Sequence, residues 1–170
     1  MTVRFAIVGA SGSGKTRLVT KLAAFFSRRG LRVGTIKHAH SGFEVDQRGK
    51  DSWRHYQAGA RRVCVTGPRQ TATFERGGRT LRALLPRFRD CDIVLVEGFR
   101  REGLPALEVY RRAVARRPLH SVEGFRVRGL VTRDPVEFRG RVFDPDSVAE
   151  IAALILPSLR AKTRSRRPRA

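Results

Sequence analysis

The sequence of 170 residues has few cysteines, few acidic residues and no long apolar segment. Its two cysteines, Cys64 and Cys91, form no CxxC pair, which excludes a disulfide framework and favours small buried side chains. The longest apolar runs, Ile93–Val96 and Ile151–Leu156, are far shorter than a bilayer span. No signal-peptide pattern follows Met1, so we expect a cytoplasmic protein without a membrane segment.

Acidic residues are scarce beside the basic ones. There are 36 Lys and Arg against 15 Asp and Glu, giving a formal charge of +21, and most of the basic residues are arginine. Such an excess indicates an anionic ligand or partner. We expect one domain over residues 1–159 and a disordered basic tail over 160–170, with charge for binding a polyanion. A basic nucleic-acid-binding module is therefore one alternative function.

Short apolar runs and amphipathic stretches alternate along the chain. Such alternation predicts a three-layer α/β fold with a largely parallel sheet, whose ligand site lies at the carboxyl ends of the strands. The predicted strands are Phe5–Val8, Leu31–Ile36, Val63–Thr66, Thr71–Glu75, Ile93–Val96, Leu107–Tyr110 and Gly129–Thr132. The predicted helices follow Lys15, Asp51, Leu81 and Asp144, with Pro86 expected to kink or shorten the third.

A phosphate-binding pattern follows the first predicted strand. The residues fit G-x-x-x-x-G-K-[ST] and lie between a strand and a helix, as the pattern requires. They are Gly9, Ala10, Ser11, Gly12, Ser13, Gly14, Lys15 and Thr16. Backbone N–H groups would surround the phosphates, Lys15 would reach the β- and γ-phosphates, and the Thr16 hydroxyl would bind Mg²⁺.

Two acids flank the most apolar strand, and a Mg²⁺ site needs a carboxylate from a second strand. Asp92 precedes this strand and Glu97 ends it. In a parallel sheet only Glu97 shares the strand end at which the phosphate loop begins. We therefore predict that Glu97 is the metal-binding and catalytic carboxylate, and that Asp92 is a solvated residue.

A polar segment follows the second predicted strand. Lys37, His38 and His40 are predicted to contact substrate or phosphate, and Asp46 to contact Mg²⁺-bound water and orient the attacking water. Two histidines without further ligands are a weak indication of zinc. Solvated loop residues remain an equal alternative for each of these positions.

Four segments resemble the molybdopterin-guanine dinucleotide biosynthesis protein B family. They are Phe5–Leu18 (FAIVGASGSGKTRL), Thr35–Ala60 (TIKHAHSGFEVDQRGKDSWRHYQAGA), Ile93–Arg100 (IVLVEGFR) and Leu104–Arg111 (LPALEVYR). The resemblance covers residues 3–155, and the second segment is more specific than the phosphate loop.

The resemblance implies a P-loop NTPase fold and a protein that binds GTP with Mg²⁺ and hydrolyses it weakly. It also implies a homodimer that assists a molybdenum cofactor guanylyltransferase, with molybdopterin as a further binding partner. In this sequence Arg100 stands where the family has lysine, and we include it among the substrate-binding residues. Ser41 stands where the family often has histidine, which weakens the case for a histidine metal site.

Guanine recognition is assigned to Asp134. It follows a late predicted strand, and its carboxylate could accept hydrogen bonds from guanine N1 and N2. Capping of a turn before Pro135 is the alternative role. An ATP-dependent kinase of a small acceptor would use Lys15, Thr16 and Glu97 equally well, and is the nearest alternative function.

Overall fold

A computed structural model describes residues 2–39, 42–44 and 46–155 of the chain. The described residues form two compact units, one within Met1–His38 and Leu84–Ala170 and the other within Ala39–Ala83. His40 and the basic tail, residues 160–170, lie outside the described residues. Within the described ranges, no helix has both the length and the apolarity to span a membrane.

The first unit contains a six-stranded sheet in the order β2-β5-β1-β6-β7-β8. All of its strand pairs are parallel. The strands are β1 (Val3–Val8), β2 (Val33–Lys37), β5 (Ile93–Glu97), β6 (Ala106–Val109), β7 (Gly129–Val131) and β8 (Val142–Phe143). The prediction of a largely parallel sheet is confirmed, whereas β8 has too short an apolar run to be predicted from sequence.

Two helices of this unit, α1 (Lys15–Ser27) and α5 (Val148–Ile155), bury apolar stripes in one core. A third helix, α4, covers Leu119–Glu123. In α1 the buried side chains Leu18, Leu22 and Phe26 recur at intervals of four residues, the spacing that places them on one face. They pack with Ile151 and Ile155 of α5 and with strands β1 and β5. The core therefore fixes the start of α1 close to the end of β1.

The second unit is a small helix and hairpin. Helix α2 (Asp51–Gln57) precedes strands β3 (Arg62–Thr66) and β4 (Thr71–Glu75), which pair antiparallel. Both strands were predicted. They form a separate two-stranded sheet and do not join the six-stranded one. Cys64 was expected to be buried and is exposed, because the alternation of a strand turns Val63 inward and Cys64 outward.

Pro86 divides the helix predicted to begin at Leu81. Helix α3 covers only Leu81–Leu84, and a single 3₁₀ turn continues over Leu85–Phe88. Proline lacks the N–H that an α-helix would need here, so the predicted shortening is confirmed. The 3₁₀ turn brings the Phe88 ring against β2, beside Gly34.

Gly34 is expected to be required by this packing. A methyl group at Gly34 would overlap the Phe88 ring and lie 3.1 Å from Cys91 Sγ. We expect Gly34→Ala to lower the free energy of unfolding by about 1–3 kcal/mol, the usual cost of overpacking. Urea denaturation measures this. Gly78→Ala is the control, because no atom lies within 4 Å of a methyl group there. Equal stability of the two variants would contradict the steric argument.

Candidate functional site

The loop Gly9–Gly14 connects β1 to α1 at the carboxyl edge of the sheet. Its first residue, Gly9, has φ 141°, and a side chain there would overlap the Val109 carbonyl oxygen. Gly14 precedes α1 and offers no side-chain cap to the first amides of the helix. These amides and the helix dipole create a site suited to an anion, as the sequence pattern predicts.

Lys15 is folded back over this loop. Its Nζ donates a hydrogen bond of 2.7 Å to the Ala10 carbonyl oxygen. Partial burial lowers the pKa of Lys15, an effect that Glu97 opposes and Lys37 reinforces. The ammonium group is therefore held at the loop by a neutral acceptor, which a phosphate oxygen could replace.

Thr16 and Glu97 meet at the same edge, as predicted. The Thr16 hydroxyl lies 2.8 and 3.0 Å from the two carboxylate oxygens of Glu97. The parallel register explains the contact, because Glu97 pairs with Ile7 of β1 and with Lys37 of β2. A hydroxyl and a largely buried carboxylate are hard oxygen ligands of the kind that Mg²⁺ prefers.

Lys37 shares this cluster. Its Nζ lies 3.3 Å from Thr16 Oγ1 and 3.5 Å from Glu97 Oε1. Asp92, by contrast, lies at the opposite end of β5 and pairs with Arg32 through hydrogen bonds of 2.9–3.2 Å. The placement argument that separated Glu97 from Asp92 is thus confirmed, although Asp92 is ion-paired and not simply solvated.

His38 and Arg100 have intramolecular partners. The His38 ring stacks on Phe99 with centroids 4.5 Å apart, and Phe99 has a left-handed φ of 52°. Such a conformation is strained for a bulky residue, and strain of this kind is frequent at functional sites. The Arg100 guanidinium forms a 2.7 Å ion pair with Glu123 at the end of α4. Their predicted contacts with substrate stay predictions.

Asp46 belongs to the second unit. One carboxylate oxygen accepts the Gln47 amide at 2.8 Å, and the other is buried with no hydrogen-bond partner. With Lys50, Asp51 and His55 it lines an open groove of about 540 Å³ within that unit. Its predicted roles at the metal and the attacking water stay predictions. Among the described residues, no group of three His, Cys, Asp or Glu side chains could hold a metal ion.

Asp134 anchors a neighbouring loop. Its Oδ2 accepts the Arg112 amide at 2.7 Å, and its own amide donates to Thr132 Oγ1 at 2.9 Å. The contact with the Arg112 amide stabilises a turn. This is the kind of structural role that the sequence offered as the alternative to guanine recognition. The contact occupies one carboxylate oxygen, and base recognition by Asp134 stays a prediction.

Sequence reasoning missed Glu108, a carboxylate in the middle of β6 that is only 1% exposed. It accepts the amides of Leu119 and His120, and its Oε2 lies 2.7 Å from His120 Nδ1. The Glu108 carboxylate thus gives the first amides of α4 the acceptor that the Pro118 side chain cannot provide. The only sequence signal was a charged residue inside the apolar run Leu107–Tyr110.

The family model described as "Molybdopterin guanine dinucleotide synthesis protein B" matches residues 4–133. The chain belongs to this family. The resemblance seen in the sequence is therefore confirmed.

Curated relatives and a solved structure agree with the family match. The molybdopterin-guanine dinucleotide biosynthesis adapter protein of Haemophilus influenzae is 35% identical, over 88% of this chain and 85% of the relative. That of Escherichia coli is 31% identical, over 86% of this chain and 87% of the relative. The crystal structure of a MobB homologue from Bacillus stearothermophilus has TM-score 0.72 at 25% identity, covering 94% of this chain and 99% of that one.

This structural likeness and the all-parallel sheet confirm the predicted α/β P-loop NTPase fold for this MobB family member. The phosphate loop follows the first strand and opens the first helix. Two neighbouring strands, β5 and β2, then bring Glu97 and Lys37 to the same edge.

Glu108 is expected to stabilise the fold through α4. Glu108→Gln removes the charge and directs an N–H₂ group toward donors, so we expect a loss of about 1–3 kcal/mol in the free energy of unfolding. Urea denaturation measures this. Glu102→Gln serves as the control, because Glu102 is exposed. Equal loss in both variants, or none in Glu108→Gln, would show that the buried contacts contribute little.

Proposed function

We propose that this protein binds GTP with Mg²⁺, hydrolyses it slowly, and acts as an adapter for a guanylyltransferase in molybdopterin-guanine dinucleotide biosynthesis. The observation that carries the nucleotide part is the contact of Thr16 with Glu97 at the end of the phosphate loop. The family match and the names of the relatives support the adapter part.

Residues of the phosphate loop would hold the triphosphate. The amides of Gly9–Thr16 would donate to phosphate oxygens, and Lys15 would exchange the Ala10 carbonyl for the β- and γ-phosphates. Glu97 would hold Mg²⁺ or its bound waters together with the Thr16 oxygen. When bound, Mg²⁺ would neutralise charge on the phosphates.

Hydrolysis would depend on positioning and charge neutralisation. A water molecule oriented by Asp46 would attack the γ-phosphorus, and the bond to the β,γ-bridging oxygen would break to give GDP and phosphate. Lys15 would stabilise the charge that develops on these oxygens. Asp134 would select guanine through its carboxylate.

The remaining predicted residues would contact a phosphate or the molybdopterin substrate. They are Lys37, which ends β2, His38 and His40, which follow it, and Arg100, which follows β5. We further propose that the protein acts as a cytoplasmic homodimer and that the basic tail binds polyanions by charge.

Nucleotide binding is tested by calorimetry with GTP and ATP, with and without Mg²⁺, at two salt concentrations. We expect Mg²⁺-dependent binding with a preference for GTP. The affinity should fall at least about tenfold in Lys15→Ala, because a charge-assisted contact to phosphate is lost. Arg28→Ala, at the far end of α1, removes the same charge and should bind as wild type does.

Three results would contradict this nucleotide assignment. Preference for ATP would favour the small-molecule kinase. Binding of polyanions that survives Lys15→Ala and falls steeply with salt, without GTP binding, would favour the nucleic-acid module. Absence of nucleotide binding in folded wild type would exclude both nucleotide functions.

The adapter role is tested by reconstitution with a molybdenum cofactor guanylyltransferase, molybdopterin and GTP. We expect the wild-type chain to raise the rate of dinucleotide formation, and Lys15→Ala to lose this effect while Arg28→Ala keeps it. Product formation is followed by chromatography. An unchanged rate at excess wild-type chain would contradict the adapter role and leave the nucleotide result standing.

A further inference from the structure

The segment Arg111–Pro118 follows β6 and lies against the phosphate loop. The Arg111 Nη1 lies 3.4 Å from the Gly12 carbonyl oxygen. Val114 Cγ1 lies 3.5 Å from the position that a methyl group on Gly12 would take. One cationic and one apolar side chain therefore border the phosphate loop on the β6 side.

This segment is held in place by four contacts that do not involve the Arg111 side chain. The Arg112 amide donates to Asp134 Oδ2 at 2.7 Å, and its Nη2 donates to the Pro135 carbonyl at 3.1 Å. The Tyr110 hydroxyl donates to the Arg116 carbonyl at 3.2 Å. At the far end, the buried Glu108 accepts the Leu119 amide. Arg111 is therefore presented from a pre-ordered backbone.

The Arg111 guanidinium forms no ion pair with the described residues. Within residues 2–39, 42–44 and 46–155, no carboxylate lies within 4.0 Å of its guanidinium, whereas Arg100 and Arg133 each pair with acids. A 3.4 Å hydrogen bond to a neutral carbonyl is long and weak. An exposed cation with one weak acceptor, at the edge of a phosphate loop, is suited to an anionic ligand.

The strand order indicates which part of a nucleotide Arg111 would meet. Thr16, Glu97 and Lys37 gather on the β5 and β2 side of β1, where the metal and the γ-phosphate would lie. Strands β6 and β7 lie on the other side of β1. A triphosphate that ends near Glu97 must therefore direct its α-phosphate and nucleoside toward β6, where Arg111 and Val114 lie.

We propose that Arg111 binds the nucleoside end of the nucleotide, with its guanidinium on the α-phosphate and along the base. Val114 is 41% exposed and supplies an apolar surface beside it. A planar guanidinium can both donate to phosphate and stack on an aromatic ring, which a lysine cannot do. This assignment rests on the proposed GTP binding and adds a residue to it.

The test compares GTP and GDP binding in wild type, Arg111→Ala and Arg111→Lys. Both nucleotides contain the α-phosphate and the base, so we expect Arg111→Ala to weaken both by the same factor, about tenfold. The turnover number for GTP should change by less than about twofold, because a contact kept from ground state to transition state affects binding alone. Arg111→Lys should fall between the two.

Arg117→Ala is the matched control, because Arg117 is exposed in the same segment and its loss changes the net charge equally. It should bind both nucleotides as wild type does, and thermal melting should show all variants folded. Wild-type affinity in Arg111→Ala would overturn the assignment. So would a loss confined to GTP with a large fall in turnover, since that places Arg111 at the γ-phosphate. Failure of wild type to bind either nucleotide would instead refute the proposed function itself.

Discussion

The parallel pairing of β1 with β5 brings the phosphate loop and Glu97 to the same edge of the sheet. The pairing sets Ile7 beside Glu97, and the matching pairing of β2 with β5 sets Lys37 beside the same residue. All five residues of β5 are buried, so its register cannot shift without exposing apolar side chains or turning Glu97 away. The phosphate loop can then meet a carboxylate from a residue 81 positions further along the chain.

The groups that were predictable from sequence are those fixed by strand direction. Glu97 could be chosen over Asp92 because parallel strands end at a common edge, and β5 could be recognised from a continuous apolar run. Glu108 and the Arg112–Asp134 contact could not be foreseen. They join loops whose conformation depends on long-range packing, and no local periodicity reports which amide a carboxylate will reach.

In the second unit, too, local features were predictable from sequence and long-range pairing was not. The sequence of β3 and β4 was sufficient to predict strands, but not to show that, within the described part of the chain, they pair with each other alone. The exposure of Cys64 followed from strand alternation once the inward-facing residue was known to be Val63. Pro86 acted locally, through its missing N–H, and its effect was therefore predictable.

Several arginines that contribute to the large positive charge form ion pairs in the fold. Arg32, Arg62, Arg79, Arg100 and Arg133 each pair with a carboxylate. Exposed pairs of this kind add little stability. They offset only part of the positive charge, since Arg62 and Arg79 share the one carboxylate of Glu75.

The position of Lys37 determines how the charge of Glu97 is compensated. Glu97 is 7% exposed, and an isolated carboxylate buried to that degree would be costly without a neighbouring cation. The ammonium of Lys37 acts as its resident counter-ion. The proposed divalent cation would compete with that ammonium for the same carboxylate. In the proposed complex, one cation beside Glu97 would thus be exchanged for another of higher charge, and the phosphates bound with it would offset the added positive charge.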